Sequence, residues 1–188
     1  SLCDLHWQTI SLREQAQILR RAGAQMRQRN VELILFGGDL FEDARIFDRH
    51  GRAPPATMIC AAQDVLAEIR KPVIAIPGNH DETTETERHA LAPLASHPLV
   101  TVLDWDTAIL PVQHGDVNVI GVPWPSPEDV AGRFSPAELR SLLAPGKLNV
   151  VLMHAEITGA RLNRYKAIRE GSTGAYRLED LMDLGADL

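Results

Sequence analysis

The chain has only two cysteines, Cys3 and Cys60, and they are not spaced as a metal or redox motif. That excludes a disulfide framework and a thiolate metal site, and it fits a cytoplasmic protein. No apolar run approaches the roughly 20 residues of a membrane-spanning helix, and no secretory signal is visible, so no membrane association is expected. Basic charge is scarce as well: 19 Lys and Arg stand against 25 Asp and Glu, for a net charge of −6. This argues against nucleic-acid binding by bulk charge. It leaves nucleic acid open as a substrate, because bound metal ions locally invert the field of their carboxylates. An initiator Met is missing, and Leu184-Gly185-Ala186-Asp187-Leu188 reads as the approach to another strand. Both ends are expected to be cut. The remaining composition, 45% apolar and 23% charged over 188 residues, suits one soluble domain with a real core.

The stretch with most chemistry is Pro77-Gly78-Asn79-His80-Asp81, directly after the apolar run Val73-Ile74-Ala75-Ile76. A buried strand runs into a Pro-Gly turn that presents an amide, an imidazole and a carboxylate in succession. The amide oxygen can ligate a hard metal, the imidazole can move a proton, and the carboxylate can orient the imidazole. Alone, these residues would also serve as a polar turn.

Three other places carry matching groups. Asp4 and His6, at i and i+2, share one side of an extended segment and can reach one metal. The strand candidate 31–36 ends in Gly37-Gly38-Asp39, where two glycines permit a tight turn. Glu42 and Asp43 follow as loop carboxylates, one of which could reach the site. The apolar run Leu148–Met153 ends in His154. Strand ends at one edge of an α/β sheet are where such sites form.

Between these points the pattern alternates helix and strand. Ser11 to Glu14 reads as a capping box opening a helix to about Arg29, with Leu12, Ala16, Leu19, Gly23 and Met26 on its inner face. Residues 44–53, with His50, read as a polar excursion. A second helix is expected from about Pro54 to Arg70, with Cys60 as inert packing. Residues 82–87 are an acidic, Thr-rich loop, and 88–95 a further helix. His89 and His97 are expected in solvent. Strands are expected at 100–103, 108–112 and 117–120, with His114-Gly115-Asp116 as a hairpin turn. Trp124, in the Pro-rich loop 121–127, is expected to pack beneath it, with lining of a substrate groove as the alternative. Ser135-Pro136-Ala137-Glu138 is a second capping box. Arg161, Arg164, Tyr165, Lys166 and Arg169 form a basic segment, expected as a solvated helix or loop, with phosphate contact as the alternative. Gly171–Gly174 is a turn, and 178–184 a short helix.

The order Asp4-x-His6, Gly38-Asp39, Gly78-Asn79-His80-Asp81, His154 resembles the calcineurin-like metallophosphoesterase superfamily over essentially the whole chain. The resemblance implies a four-layer αββα sandwich with two mixed β-sheets. It implies two divalent ions, Mn²⁺ first and Fe or Zn²⁺ as alternatives. Asp4 and His6 would bind one ion, Asp39 would bridge, and Asn79 and His154 would bind the other. His80 would be the catalytic histidine, paired with Asp81. The family's last motif, G-H-x-H, is absent. Gly38-Asp39-Leu40-Phe41 and the stretch from His154 through Glu156 to Gly159 look most like the SbcD-type DNA repair nucleases. That branch implies DNA as substrate, an SbcC-type ATPase as partner and a possible homodimer. A phosphatase or phosphodiesterase acting on small molecules or phosphoproteins is the alternative enzyme. A non-catalytic scaffold on the same fold is the alternative outside enzymology.

Overall fold

The two apolar runs that end in Gly38-Asp39 and Pro77-Gly78 lie side by side. In the computed structural model, which describes residues 5–7, 11–42, 56–81, 89–107, 110–124, 134–163, 166–167 and 175–187, the chain divides into two units, Ser1–Val102 and Leu103–Leu188. The first unit holds α1 (Leu12–Gln28), β1 (Ile34–Phe36), α2 (Ala56–Ile69), β2 (Val73–Ala75), a 3₁₀ turn (Ala92–Ser96) and β3 (Val100–Val102). β1, β2 and β3 form a parallel sheet in that order, with Ile34 opposite Val73 and Val73 opposite Val100. All three residues of β2 are buried, as expected of a central parallel strand. Helices α1 and α2 cover the sheet with Ala16, Leu19, Met58, Val65 and Ile69. Each large aliphatic side chain so buried stabilises the unit by about 1.5–3 kcal/mol. Arg20 Nε donates to Glu68 Oε2 across the two helices at 2.8 Å. The segment before α1 joins this unit through a parallel bridge between Trp7 and Phe41, both buried.

The second unit holds β4 (Val112–His114), β5 (Val117–Val122), α3 (Pro136–Ser141) and β6 (Leu148–Met153). They are followed by β7 (Glu156–Ile157), β8 (Arg161–Asn163), β9 (Lys166–Ala167), β10 (Ala175–Tyr176) and α4 (Leu178–Met182). β4 is antiparallel to β5 and β5 is parallel to β6, so this sheet is mixed. The β5–β6 register sets Asn118 beside Asn149. Both are buried, and Asn118 Nδ2 donates to Asn149 Oδ1 at 2.9 Å and to the Leu142 carbonyl at 3.1 Å. Asn149 Nδ2 in turn donates to the carbonyls of Ala144 and Lys147, each at 3.1 Å. This amide pair satisfies the turn between α3 and β6 from inside. β7 pairs with β10 in parallel, and β8 with β9 antiparallel.

The α/β class is the one expected; of the two sheets expected to be mixed, β4-β5-β6 is mixed and β1-β2-β3 is parallel throughout among the described residues. β6 spans the apolar run that announced it, and Ser135 caps α3 by accepting from the Glu138 N–H at 3.3 Å. Several local expectations need correction. Ser11 makes no side-chain cap, because its backbone (φ −119°, ψ 13°) is outside the extended region an N-cap residue uses. The helix expected over 88–95 is a 3₁₀ turn at Ala92–Ser96, stopped by Pro98, which holds His97 extended. His89 is buried and His97 half-buried, where both were expected in solvent. Cys60 is exposed, because α2 turns Met58, Ile59 and Ala62 inward instead. His114 ends strand β4, which leaves Gly115 and Asp116 as the hairpin turn. The basic segment carries short strands at 161–163 and 166–167 and not a helix. Its Arg164, Tyr165 and Arg169 lie outside the described residues, as do 44–53, 82–87 and the turn at 171–174.

Candidate metal centre

The parallel pairing of β1 and β2 makes their carboxyl ends adjacent, and both loops leave from there. The Ile76 N–H donates to the Phe36 carbonyl at 3.0 Å, so pairing continues one step past β2. Gly78 to Asp81 then closes a turn, with the Asp81 N–H donating to the Gly78 carbonyl at 3.1 Å. Opposite it, Gly38 (φ 97°) and Asp39 (φ 56°) both adopt the left-handed region. Asp39 is one of the few residue types that tolerate this conformation. Gly78 sits against it so closely that a Cβ there would lie 2.1 Å from Asp39 Oδ1 and 2.6 Å from Asp39 N. Only glycine fits.

Asp81 is fully buried, and its carboxylate is held by backbone N–H groups. Oδ2 accepts from the Asp39 N–H at 2.8 Å and the Gly78 N–H at 3.0 Å, and Oδ1 accepts from the Phe41 N–H at 3.2 Å. Burial pushes the Asp81 carboxyl up to about 6, and the nearby Asp39 adds to this, while the three N–H groups pull it down. Among the described residues the Asp81 carboxylate meets these three N–H groups, where the resemblance implied the His80 ring. The carboxylate turns inward because three strand-end amides need an acceptor there. It ties the loop after β1 to the loop after β2.

His80 takes its orientation from elsewhere. Its N–H donates to Asp39 Oδ1 at 2.9 Å, and its Nδ1 contacts the Glu42 carbonyl. A carbonyl can only accept, so Nδ1 is the ring atom that donates there and Nε2 is the one that faces away from it. The His6 and His80 rings meet edge to face with centroids 4.7 Å apart. His6 Nε2 is 3.9 Å from Asp39 Oδ2, and His6 Nδ1 is 3.4 Å from Glu42 Oε2. His6 has φ 46°, so it is not on the extended segment that its i, i+2 spacing with Asp4 suggested. Its N–H donates to the Asp39 carbonyl at 3.0 Å, and its carbonyl accepts from Gln15 Nε2 at 2.9 Å.

His6, Glu42 and His80 each offer a ligand atom within 4.8 Å of the others. The His6 imidazole with the carboxylates of Glu42 and Asp39, and no thiolate, fits a divalent ion of hard or borderline character, with the His80 ring beside it. Glu42 is the residue that sequence reasoning undervalued. Its spacing from Asp39 gave the only signal, and its pairing with Trp7, whose carbonyl accepts from the Glu42 N–H at 3.1 Å, gave none. Asn79 is half-buried at the tip of the turn. Asp4 lies outside the described residues.

His154 belongs to the second unit, one residue past β6. Its N–H donates to the Val122 carbonyl at 2.9 Å, and its ring meets Trp124 edge to face, with centroids 5.7 Å apart. Trp124 in turn accepts from Trp105 Nε1 at its carbonyl, at 2.9 Å.

A search of curated proteins found no match. The family model described as calcineurin-like phosphoesterase matches residues 3–183, which takes in every loop described above. With that span matched, and with histidine and carboxylate donors gathered where β1 and β2 end, the chain belongs to the calcineurin-like phosphoesterase family.

Proposed function

We propose that this metal-dependent phosphoesterase hydrolyses phosphodiester bonds in DNA, in the manner of the SbcD-type repair nucleases. The observation that carries the phosphoesterase chemistry is the gathering of His6, Asp39, Glu42 and His80 at the carboxyl ends of β1 and β2. Support for the nuclease branch comes from Gly38-Asp39-Leu40-Phe41 and the stretch from His154 to Gly159. Asp4, His6, Asp39 and Asn79 are the proposed ligands of two divalent ions, Mn²⁺ foremost, and His154 joins them on the family resemblance alone. When bound, such ions supply positive charge to the phosphoryl oxygens and lower the pKa of water. Asp39 accepts the His80 N–H and so holds the histidine's loop in place. With Nδ1 facing the Glu42 carbonyl, Nε2 is the ring atom left to take up a proton and pass it to the leaving oxygen. Asp81 takes no part in that transfer; it holds the two loops together. A cytoplasmic location, an SbcC-type ATPase partner and a homodimer belong to the same proposal.

The test supplies the purified chain with Mn²⁺ and, separately, single-stranded DNA, double-stranded DNA and a small phosphodiester. Nucleotide release from DNA is the expected result. Turnover of the small diester with intact DNA would move the substrate to small molecules. No bound metal and no turnover would make the chain a scaffold on this fold.

A further inference from the structure

We infer that Trp124 is a positioning residue for His154, holding the imidazole at the angle from which it binds its ion. The inference rests on the proposed ligand role of His154. Both residues sit just beyond a register-locked pair of strands. Val122 and Met153 are the last partners of the β5–β6 ladder, and the His154 N–H extends it by donating to the Val122 carbonyl at 2.9 Å. The backbone of His154 is thus fixed, but a histidine ring still turns about two side-chain bonds. The indole of Trp124 stands against the ring and restricts that turning. Its ring stands at 79° to the imidazole with centroids 5.7 Å apart, an edge-to-face arrangement that aromatic pairs prefer.

The indole is itself held. Trp124 lies between Pro123 and Pro125, and a residue before proline has a restricted backbone. Its carbonyl accepts from Trp105 Nε1 at 2.9 Å, which fastens the loop to the segment before β4. Trp105 therefore holds Trp124 by its backbone, and Trp124 holds His154 by its ring. Ligand histidines generally need such outer partners to fix ring orientation, and losing one typically costs 10–100-fold in metal affinity. A rigid aromatic supplies orientation through the face and edge of the ring, without itself taking a ring nitrogen. Sequence alone offered packing or a substrate groove for Trp124, and the ring contact is specific to neither.

The experiment reads the metal-free protein first. His154 ring protons, assigned by their disappearance in His154→Gln, are expected to show a ring-current displacement by NMR. The displacement should vanish in Trp124→Leu and persist in reduced form in Trp124→Phe. Calorimetric titration with Mn²⁺ should then show about tenfold weaker binding for Trp124→Leu and at most about threefold for Trp124→Phe. Equal losses in the Leu and Phe variants would make Trp124 a packing residue and overturn the inference. So would wild-type ring shifts in Trp124→Leu. If His154→Gln binds Mn²⁺ as tightly as the wild type, the ligand role of His154 fails and the inference goes with it. If His154→Gln binds weakly and Trp124→Leu normally, only the inference fails. A wild-type spectrum without the displacement overturns it even if the variants do not fold.

Discussion

Asp39 and Asp81 hold each other's loops through opposite ends of the residue. The Asp39 backbone N–H donates to Asp81 Oδ2 at 2.8 Å, while the Asp39 carboxylate accepts from the N–H of His80, the residue just before Asp81. The two carboxylates thus divide the work: one faces the site and the other faces the scaffold.

Asp81→Asn is expected to damage the fold more than the chemistry. An amide placed against three N–H donors must turn one N–H₂ group toward them, leaving buried donors unsatisfied. The expected loss is about 2–3 kcal/mol in urea unfolding. A variant of undiminished stability whose turnover collapses would return Asp81 to the role of His80's partner.

Gly78→Ala tests the close approach directly. The added methyl meets the Asp39 carboxylate and backbone together, and backbone cannot swing aside. A loss of roughly 1–3 kcal/mol or more is expected, measured as a lowered Tm. An Ala variant with an unchanged Tm would mean that the loops after β1 and β2 separate without cost.

His80 and Glu42 should separate in their effects. His80→Ala is expected to keep bound metal, measured by elemental analysis, while turnover falls about 10²–10⁴-fold. Glu42→Ala keeps the backbone carbonyl that faces His80 Nδ1 but loses the carboxylate beside His6. Ion affinity should therefore weaken about tenfold or more by titration calorimetry. Metal lost with His80 and retained without Glu42 would exchange the two assignments.

Alkaline pH should weaken the fold through Tyr176. Burial pushes its phenol up to about 12 in the folded state, from 10.0, and its O–H donates to the Phe134 carbonyl at 2.7 Å. Above pH 10 the unfolded chain loses this proton while the folded chain keeps it. Stability therefore falls as pH rises from about 10 to about 12, and this contribution is fully present below that window. Urea midpoints measured across the window should show a slope that Tyr176→Phe flattens. An identical slope in Tyr176→Phe would assign the alkaline loss to other groups.

What the sequence made legible was what short-range pattern controls. β6 is bounded by Pro145-Gly146 and His154, so its limits show in the letters themselves. α3 has a serine and a glutamate at the right spacing, and its cap forms. Ser11 and Glu14 have the same spacing, yet no cap forms there, because backbone angles at Ser11 are set by its surroundings. The site showed the same division. That His6, Asp39 and His80 come together follows from residue types at strand ends. That Asp81 faces inward does not, because its partners are amides from two loops. Amides carry no signature in residue type. Glu42 was undervalued for a related reason: its carbonyl, shared by every residue, is what meets His80.

The buried pair Asn118 and Asn149 has a reach beyond the turn it satisfies. A slip of one residue between β5 and β6 would strand both amides among apolar neighbours and invert the face that each later residue presents. The pair acts as an index mark at one end of β6, and the residue it ultimately aims is His154 at the other. Exchanging both asparagines for valine could leave a stable sheet whose histidine points the wrong way.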